Sequence, residues 1–307
     1  MNILTPVLEL IGSLGLLLYG MKLMSDGVQK SAGEKLQRTL SVVTSNKVVA
    51  ILTGMLITMI IQSSGATTVM VVTFVNAGLI SLAQSAGVIF GANIGTTITA
   101  WIVSIFGFNF KISAFAVPVV GLGYFLSIFK KRKYQNIGEA IMGFGLLFLG
   151  LSGLSSVFTP DQLGWMLNIK GTGASAIILG FLIGIVVTAL LHSSSAFSAI
   201  VITMAYNGLI SWELAAAMTL GSNVGSTVDS IMASMGTCAN GRRAALIHVM
   251  FNLFGTIVVF FFFKPFLELV MFITLGQGNS NIAIRISMLH TVFNIITTCV
   301  MTPLSGK

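Results

Sequence analysis

Long apolar runs, each close to the length of a membrane crossing, constrain this chain more than any other feature. They fall near 6–21, 85–106, 112–129, 137–158, 214–235, 244–263 and 284–303. A helix needs about 20 apolar residues to cross a hydrocarbon core of roughly 30 Å at about 1.5 Å per residue. Composition agrees: 8% of residues are charged, 55% are hydrophobic and the mean hydropathy is +0.98. A soluble domain carries about a quarter charged residues, so this chain cannot cover a water-facing surface. That excludes a soluble enzyme, a nucleic-acid binder and a disordered chain. The expectation is an all-α polytopic membrane protein, bathed by the lipid bilayer, with room for roughly eight to ten segments. The net charge of +8 is no sign of a nucleic-acid partner, because Lys and Arg in membrane proteins mainly set orientation. Cys238 and Cys299 fit no disulfide or metal framework, and the first apolar run reads as a spanning helix, not a cleaved leader.

Two regions break the pattern. Residues 48–61 are apolar, stop at Gln62-Ser63-Ser64-Gly65 and resume over 66–80; residues 176–191 stop at His192-Ser193-Ser194-Ser195 and resume over 196–210. Each arm, at about 15 residues, is short for a crossing. The reading is a pair of re-entrant helical hairpins with a polar tetrad at each tip. The stretch 22–47 mixes Lys22, Asp26, Lys30, Glu34, Lys35, Arg38 and Lys47 with Val28, Leu36, Leu40 and Val43, which predicts an amphipathic helix along the membrane surface.

The two regions are copies. An offset of 130 carries Gln62, Ser63 and Ser64 onto His192, Ser193 and Ser194. It also carries Gly54 and Thr58 onto Gly184 and Thr188, Thr73 onto Thr203, and Gly78-Leu79-Ile80-Ser81 onto Gly208-Leu209-Ile210-Ser211. Gly91, Asn93, Gly95 and Thr97 fall on Gly221, Asn223, Gly225 and Thr227; upstream, Gly15, Gly20 and Ser25 fall on Gly145, Gly150 and Ser155. The predicted organisation is a first repeat over 1–134, a second over 135–265, and a C-terminal membrane segment over 266–307. Each repeat is expected to hold three spanning helices and one hairpin.

Basic residues indicate how the copies are related. The stretch 22–47 holds five Lys and Arg, while its counterpart 152–175 holds only Lys170; Lys111 in copy one faces Arg242 and Arg243 in copy two. Equivalent loops therefore fall on opposite sides under the positive-inside rule. With 22–47, Lys130-Lys131-Arg132-Lys133 and 242–243 in the cytoplasm, eleven of the sixteen basic residues are accounted for. The N-terminus is then outside and the C-terminus cytoplasmic. Inverted-topology repeats of this kind build secondary transporters, with the substrate site at the midplane.

The hairpin tips would meet at that midplane. Free N–H groups near Gly65-Ala66-Thr67 and Ser195-Ala196-Phe197, with the hydroxyls of Ser63, Ser64, Ser193, Ser194 and Ser195, suit an anion. Neither tetrad contains Lys or Arg, so cations carried with the substrate would balance its charge. Gly91-Ala92-Asn93-Ile94-Gly95-Thr96-Thr97 and Gly221-Ser222-Asn223-Val224-Gly225-Ser226-Thr227 interrupt apolar spans. Their glycines are expected to permit local unwinding that frees carbonyls. Oxygen ligands from Asn93, Thr96, Thr97, Asn223, Ser226 and Thr227 would suit a hard cation such as sodium. Asp229, where copy one has Thr99, is an ionisable residue inside a span and so a functional candidate. Other polar positions have simpler roles. Thr58, Thr73, Thr188 and Thr203 can bond the preceding turn or join helices. Gly12, Gly15, Gly20, Gly143, Gly145 and Gly150 read as packing contacts. The shared His-x-x-Phe-Asn pattern of His248 and His290, with Asn252 and Asn294, reads as helix–helix hydrogen bonding.

The paired tetrads, each followed by Gly-Leu-Ile-Ser and Gly-[Ala/Ser]-Asn-[Ile/Val]-Gly-[Thr/Ser]-Thr, resemble the doubled signature of the type II sodium/phosphate cotransporter family. The similarity extends to Gly241-Arg242-Arg243-Ala244-Ala245 and to His248 through Gly255. The resemblance implies uptake of inorganic phosphate with sodium by alternating access, with no organic cofactor. It carries over Gln62, Ser63, Ser64, His192, Ser193, Ser194 and Ser195 as substrate and ion residues, and the Asn93 and Asn223 motifs as sodium or site-shaping residues. On this reading Ser63 through Thr67 and Ser193 through Ala196 hold phosphate. Gln62, His192 and Asp229 join the cation side, and a homodimer is compatible with the pattern. Two departures stand out: Gly65 replaces the last Ser of the family's Gln-Ser-Ser-Ser, and His192 replaces the second Gln. Many bacterial relatives continue into a soluble domain resembling the PhoU proteins, and the expectation is a chain without it. An intramembrane serine hydrolase is the rival class, with Ser63 or Ser194 as nucleophile and His192, His248 or His290 as base. It needs one nucleophile and one oxyanion hole and so gives no reason for serines in both halves. Another oxyanion, or export of phosphate, is the rival within the fold.

Overall fold

The computed structural model describes residues 4–41, 46–109, 115–159, 173–274 and 282–305, without the side chains of 33–41 and 109. Every regular element among them is a helix: α1 (Leu4–Ser41), α2 (Lys47–Ile61), α3 (Ser64–Asn76), α4 (Leu82–Ile102, continued by a π-helical turn over Val103–Asn109), α5 (Ala116–Ser127), α6 (Arg132–Val157), α7 (Ala174–Leu191), α8 (Ser194–Tyr206), α9 (Trp212–Gly225), α10 (Thr227–Ser234), α11 (Ala239–Phe261), α12 (Phe263–Ile273) and α13 (Ile282–Leu304). Among the described residues, six helical stretches are long and apolar enough to cross a bilayer: Leu4–Ala32, Leu82–Phe108, Arg132–Val157, Ala174–Leu191, Ala239–Phe261 and Ile282–Leu304. This is the architecture of a polytopic membrane protein.

Both apolar runs break at their tetrads, and the same local chemistry makes each break. Gln62 (φ 61°) and His192 (φ 50°) end α2 and α7 in the left-handed conformation. Ser63 and Ser193 then cap α3 and α8, accepting from Ala66 N at 3.1 Å and Ala196 N at 3.2 Å. The parallel continues at Gly78 and Gly208 (φ 70° and 74°) and at the caps Ser81 and Ser211. Elements equivalent by the sequence offset thus share caps and turns.

Several expectations are corrected. Residues 22–41 do not form a separate surface helix: α1 runs unbroken from Leu4 to Ser41. The cause is its contact with α6, where Gly20 and Gly27 press against backbone of Gly143 and Ala140, leaving no room for a Cβ. Lys30 extends the contact through an ion pair with Glu139 at 2.7 Å. Among its described residues the run 112–129 yields the short α5, and 214–235 is divided at Ser226 into α9 and α10. Conversely α7, one arm of the second hairpin, reaches the length of a crossing. Helix α12, with Phe266, Leu267 and Val270 buried and Lys264 and Glu268 exposed, was not anticipated. Gly12 and Gly15 face open space, while Gly20, Gly143, Gly145 and Gly150 are packing contacts. Val43, Lys111 and Lys170 lie outside the described residues.

The Gly-x-Asn-x-Gly segments do not unwind. Helix α4 continues through 91–97, and α9 reaches Gly225 before the break. Their glycines let backbones touch instead: a Cβ on Gly91 would strike the Ile51 carbonyl of α2, and one on Gly221 the Phe181 carbonyl of α7. Reciprocally, Gly54 meets the Val88 carbonyl and Gly184 the Met218 carbonyl. Each hairpin's first arm is therefore clamped to the following helix. The returning arms sit in hydrophobic clusters, α3 through Val71, Val72 and Val75, α8 through Phe197, Val201 and Ile202.

Candidate functional site

The two tips face one cavity of about 400 Å³, lined by Gln62 through Ala66 from the first and Leu191 through Ser195 from the second. Ser226 and Asp229 close one side, and Leu18, Met21, Lys22, Ser25, Asp26 and Gln29 of α1 close another. Sequence reasoning missed the α1 wall because its charges resembled a solvated face. The signal was present in the match of Ser25 with Ser155: Ser25 donates to the Ile61 carbonyl at 2.6 Å, tying α1 to the first tip. The cavity is therefore not free of protein charge. Among the described residues its wall carries one lysine, Lys22, against the carboxylates of Asp26 and Asp229.

Helix-start geometry decides which donors are free. The first N–H groups of a helix have no intrahelical partner. The Ser63 and Ser193 caps occupy Ala66 N–H and Ala196 N–H, and the ladder begins where Thr67 N bonds Ser63 O and Phe197 N bonds Ser193 O, both at 3.2 Å. The N–H groups of Ser64, Gly65, Ser194 and Ser195 remain for a ligand, along with the serine hydroxyls. Thr67 does not line the cavity: its hydroxyl donates to Ser63 O at 3.0 Å and accepts from Thr58 at 2.9 Å. Ala196 is fully buried and also off the wall.

Behind each tip, the residue at the left-handed position is held by a partner at the same offset. In the first half, Thr99 donates to Gln62 Oε1 at 2.7 Å while Gln62 Nε2 donates to the Met59 carbonyl at 2.5 Å. In the second, His192 Nδ1 donates to Asp229 Oδ1 at 2.7 Å. A neutral pair is thus replaced by an ionisable one. Gly65 belongs to the same exchange, since a Cβ there would lie 2.5 Å from Asp229 Oδ2. Room that a serine would take at position 65 is occupied by the carboxylate that a threonine would not supply at 229. Gly65→Ser should therefore push Asp229 off His192 and lower the thermal unfolding midpoint. Gly65→Ser with Asp229→Thr should recover most of the loss, a coupling of about 0.5–1.5 kcal/mol; additive effects in unfolding experiments would refute the exchange.

The remaining candidates sit deeper. Asn93, Thr96, Thr97, Asn223 and Thr227 are buried and do not line the cavity. Asn93 Oδ1 accepts from His248 Nε2 at 3.1 Å, and Asn223 Oδ1 from His290 Nε2 at 2.8 Å. Thr97, Ser226 and Thr227 donate to carbonyls of Ile94, Asn223 and Val224. Of the motif residues only Ser226 reaches the cavity. No described histidine bonds a tip serine; His248 meets Ser230 at 2.6 Å in the buried interior.

The model of a family described as Na+/Pi-cotransporter matches residues 16–156 and 166–291. The chain is 29% identical to "Uncharacterized protein YqeW" of Bacillus subtilis (strain 168), over 98% of this chain and 96% of that protein. It is 28% identical to "Putative inorganic phosphate export protein YjbB" of Escherichia coli (strain K12), covering 97% of this chain but 53% of that protein, so the chain spans about half of that relative's length. Over 131 residues, 41% of this chain and 18% of the other, it is 33% identical to "Sodium-dependent phosphate transport protein 2B" of Rattus norvegicus. No solved structure matches. With matched segments covering most of its length, both tips included, the chain belongs to the Na+/Pi-cotransporter family.

Proposed function

We propose that this chain carries inorganic phosphate together with sodium, inward across the cytoplasmic membrane, by alternating access between two inverted halves. The observation that carries the reading is the convergence of both tips on one cavity whose free donors come in matched pairs. Phosphate lies between the helix starts of α3 and α8, bonded by the N–H groups of Ser64, Gly65, Ser194 and Ser195 and by the hydroxyls of Ser64, Ser194 and Ser195. A helix N-terminus favours an anion. Lys22 adds one cation, but Asp26 and Asp229 outnumber it, so phosphate enters with compensating sodium. Gln62, His192, Ser226 and Asp229 serve the sodium side at the cavity, with Asn93, Thr96, Thr97, Asn223 and Thr227 behind it. Inversion of the halves is supported by the opposed distribution of Lys and Arg in equivalent loops, which puts the N-terminus outside and the C-terminus in the cytoplasm. The export named for the Escherichia coli relative favours a second reading, in which the same carrier runs outward.

Proteoliposomes containing the purified chain test both. Radiolabelled phosphate should accumulate under an inward sodium gradient and not under equal potassium or proton gradients. Efflux from preloaded vesicles, faster than uptake under mirrored gradients, would favour export. No sodium-dependent phosphate movement, with folded protein confirmed by size-exclusion chromatography, would overturn the coupling.

A further inference from the structure

Two buried polar clusters outside the tip cavity have the same design. On α11 the pattern is His248-x-x-Phe251-Asn252-x-x-x-Thr256, and on α13 it is His290-x-x-Phe293-Asn294-x-x-x-Thr298. Each histidine bonds the asparagine of a Gly-x-Asn-x-Gly segment, on α4 or α9. Each following asparagine turns its amide nitrogen onto the histidine's carbonyl, Asn252 at 3.0 Å and Asn294 at 2.8 Å. That bond fixes the amide orientation and leaves the side-chain oxygen to the interior. In both clusters this Oδ1 and the Thr Oγ1 four residues on have no partner, although all four residues are at most 5% exposed. Residues four apart share a helix face. Thr96 Oγ1, three residues beyond Asn93, is also unpartnered, and in the second cluster so are the acceptor His290 Nδ1 and the donor Asn223 Nδ2.

Buried polar atoms without partners are rare and costly, and their recurrence at matched positions of two helices points to a ligand. Its chemistry follows from the atoms. The amide oxygens can only accept, and so can His290 Nδ1, because His290 Nε2 donates to Asn223. A small cation satisfies several such lone pairs at once. None of these residues carries a negative charge, which disfavours a divalent ion that needs carboxylates. No cluster of His, Cys, Asp or Glu suited to a transition metal occurs among the described residues. We propose that the Asn252–Thr256 and Asn294–Thr298 pairs each form part of a sodium site, with Thr96 joining the first. This deepens the sodium coupling proposed above and rests on it.

The test uses the purified chain in detergent without phosphate, following the thermal unfolding midpoint against sodium concentration, with choline holding ionic strength constant. Sodium should raise the wild-type midpoint. Thr256→Val and Thr298→Val should each raise the half-saturating sodium concentration roughly tenfold or more, whereas Thr256→Ser and Thr298→Ser should stay within about twofold. Gly12→Ala, which adds a methyl group facing open space on α1, should keep the wild-type half-saturating sodium concentration. Unchanged half-saturation in both valine variants would overturn the two sites while leaving sodium coupling standing. A wild-type chain indifferent to sodium here and in the uptake assay would overturn both. Equilibrium binding of radioactive sodium to wild-type protein does not depend on how the variants fold. Two or more ions per chain are expected without phosphate, and one or none contradicts the pair of sites.

Discussion

Ser64→Ala and Ser194→Ala each lower the initial rate of phosphate uptake at limiting phosphate by roughly 10- to 100-fold, the loss expected from deleting one hydrogen bond to a charged ligand, about 1.5–3 kcal/mol. Both residues line the cavity, and both begin the helix that returns from a tip. Neighbouring caps behave differently. Ser63→Ala and Ser193→Ala remove the acceptor of Ala66 N–H and Ala196 N–H, and each costs about 1 kcal/mol of stability in addition to any effect on transport. Uptake normalised to folded protein, beside thermal unfolding, separates the two pairs. Full activity in either Ser64→Ala or Ser194→Ala would mean that only one tip holds the substrate.

A second large effect comes from residues that touch no ligand. Gly91→Ala and Gly221→Ala add a Cβ where α2 and α7 present the carbonyls of Ile51 and Phe181. Rigid backbone cannot yield there without separating the first arm of a hairpin from the helix that positions it. Overpacking of this kind costs about 1–3 kcal/mol or more. The expected outcome is a drop of about fivefold or more in monodisperse protein after detergent extraction, with the remainder poorly active. Gly12→Ala and Gly15→Ala are the controls. Both face open space on α1, and alanine gains about 0.5–1 kcal/mol over glycine in a helix. Equal yields from all four variants would remove the clamp.

The hairpin breaks were legible because their cause is local. Apolar arms, a polar tetrad, a serine cap at 63 and 193 and glycine turns at 78 and 208 act within a few residues of one another. The α1 wall was hidden because its charges look like a surface face in one dimension. Only packing on α6 through Gly20 and Gly27 turns Lys22, Ser25 and Asp26 toward the tips. The Gly-x-Asn-x-Gly segments were ambiguous for a physical reason: unwinding and close packing both call for a missing side chain. Their asparagines pair with His248 and His290, which lie 155 and 67 residues further along the chain, so the helix–helix hydrogen bonding read from the recurring His-x-x-Phe-Asn pattern holds, and only its partners needed the fold. The coupling of Gly65 with Asp229 was likewise visible as two unrelated departures until their proximity joined them.

The central claim is that one phosphate is held between two tips contributed by the two halves. Equilibrium binding of radiolabelled phosphate to the purified chain in saturating sodium measures it most directly. One phosphate per chain is expected, with affinity falling about tenfold or more in Ser64→Ala and in Ser194→Ala alike. Two phosphates per chain, or wild-type affinity in either variant, would contradict it.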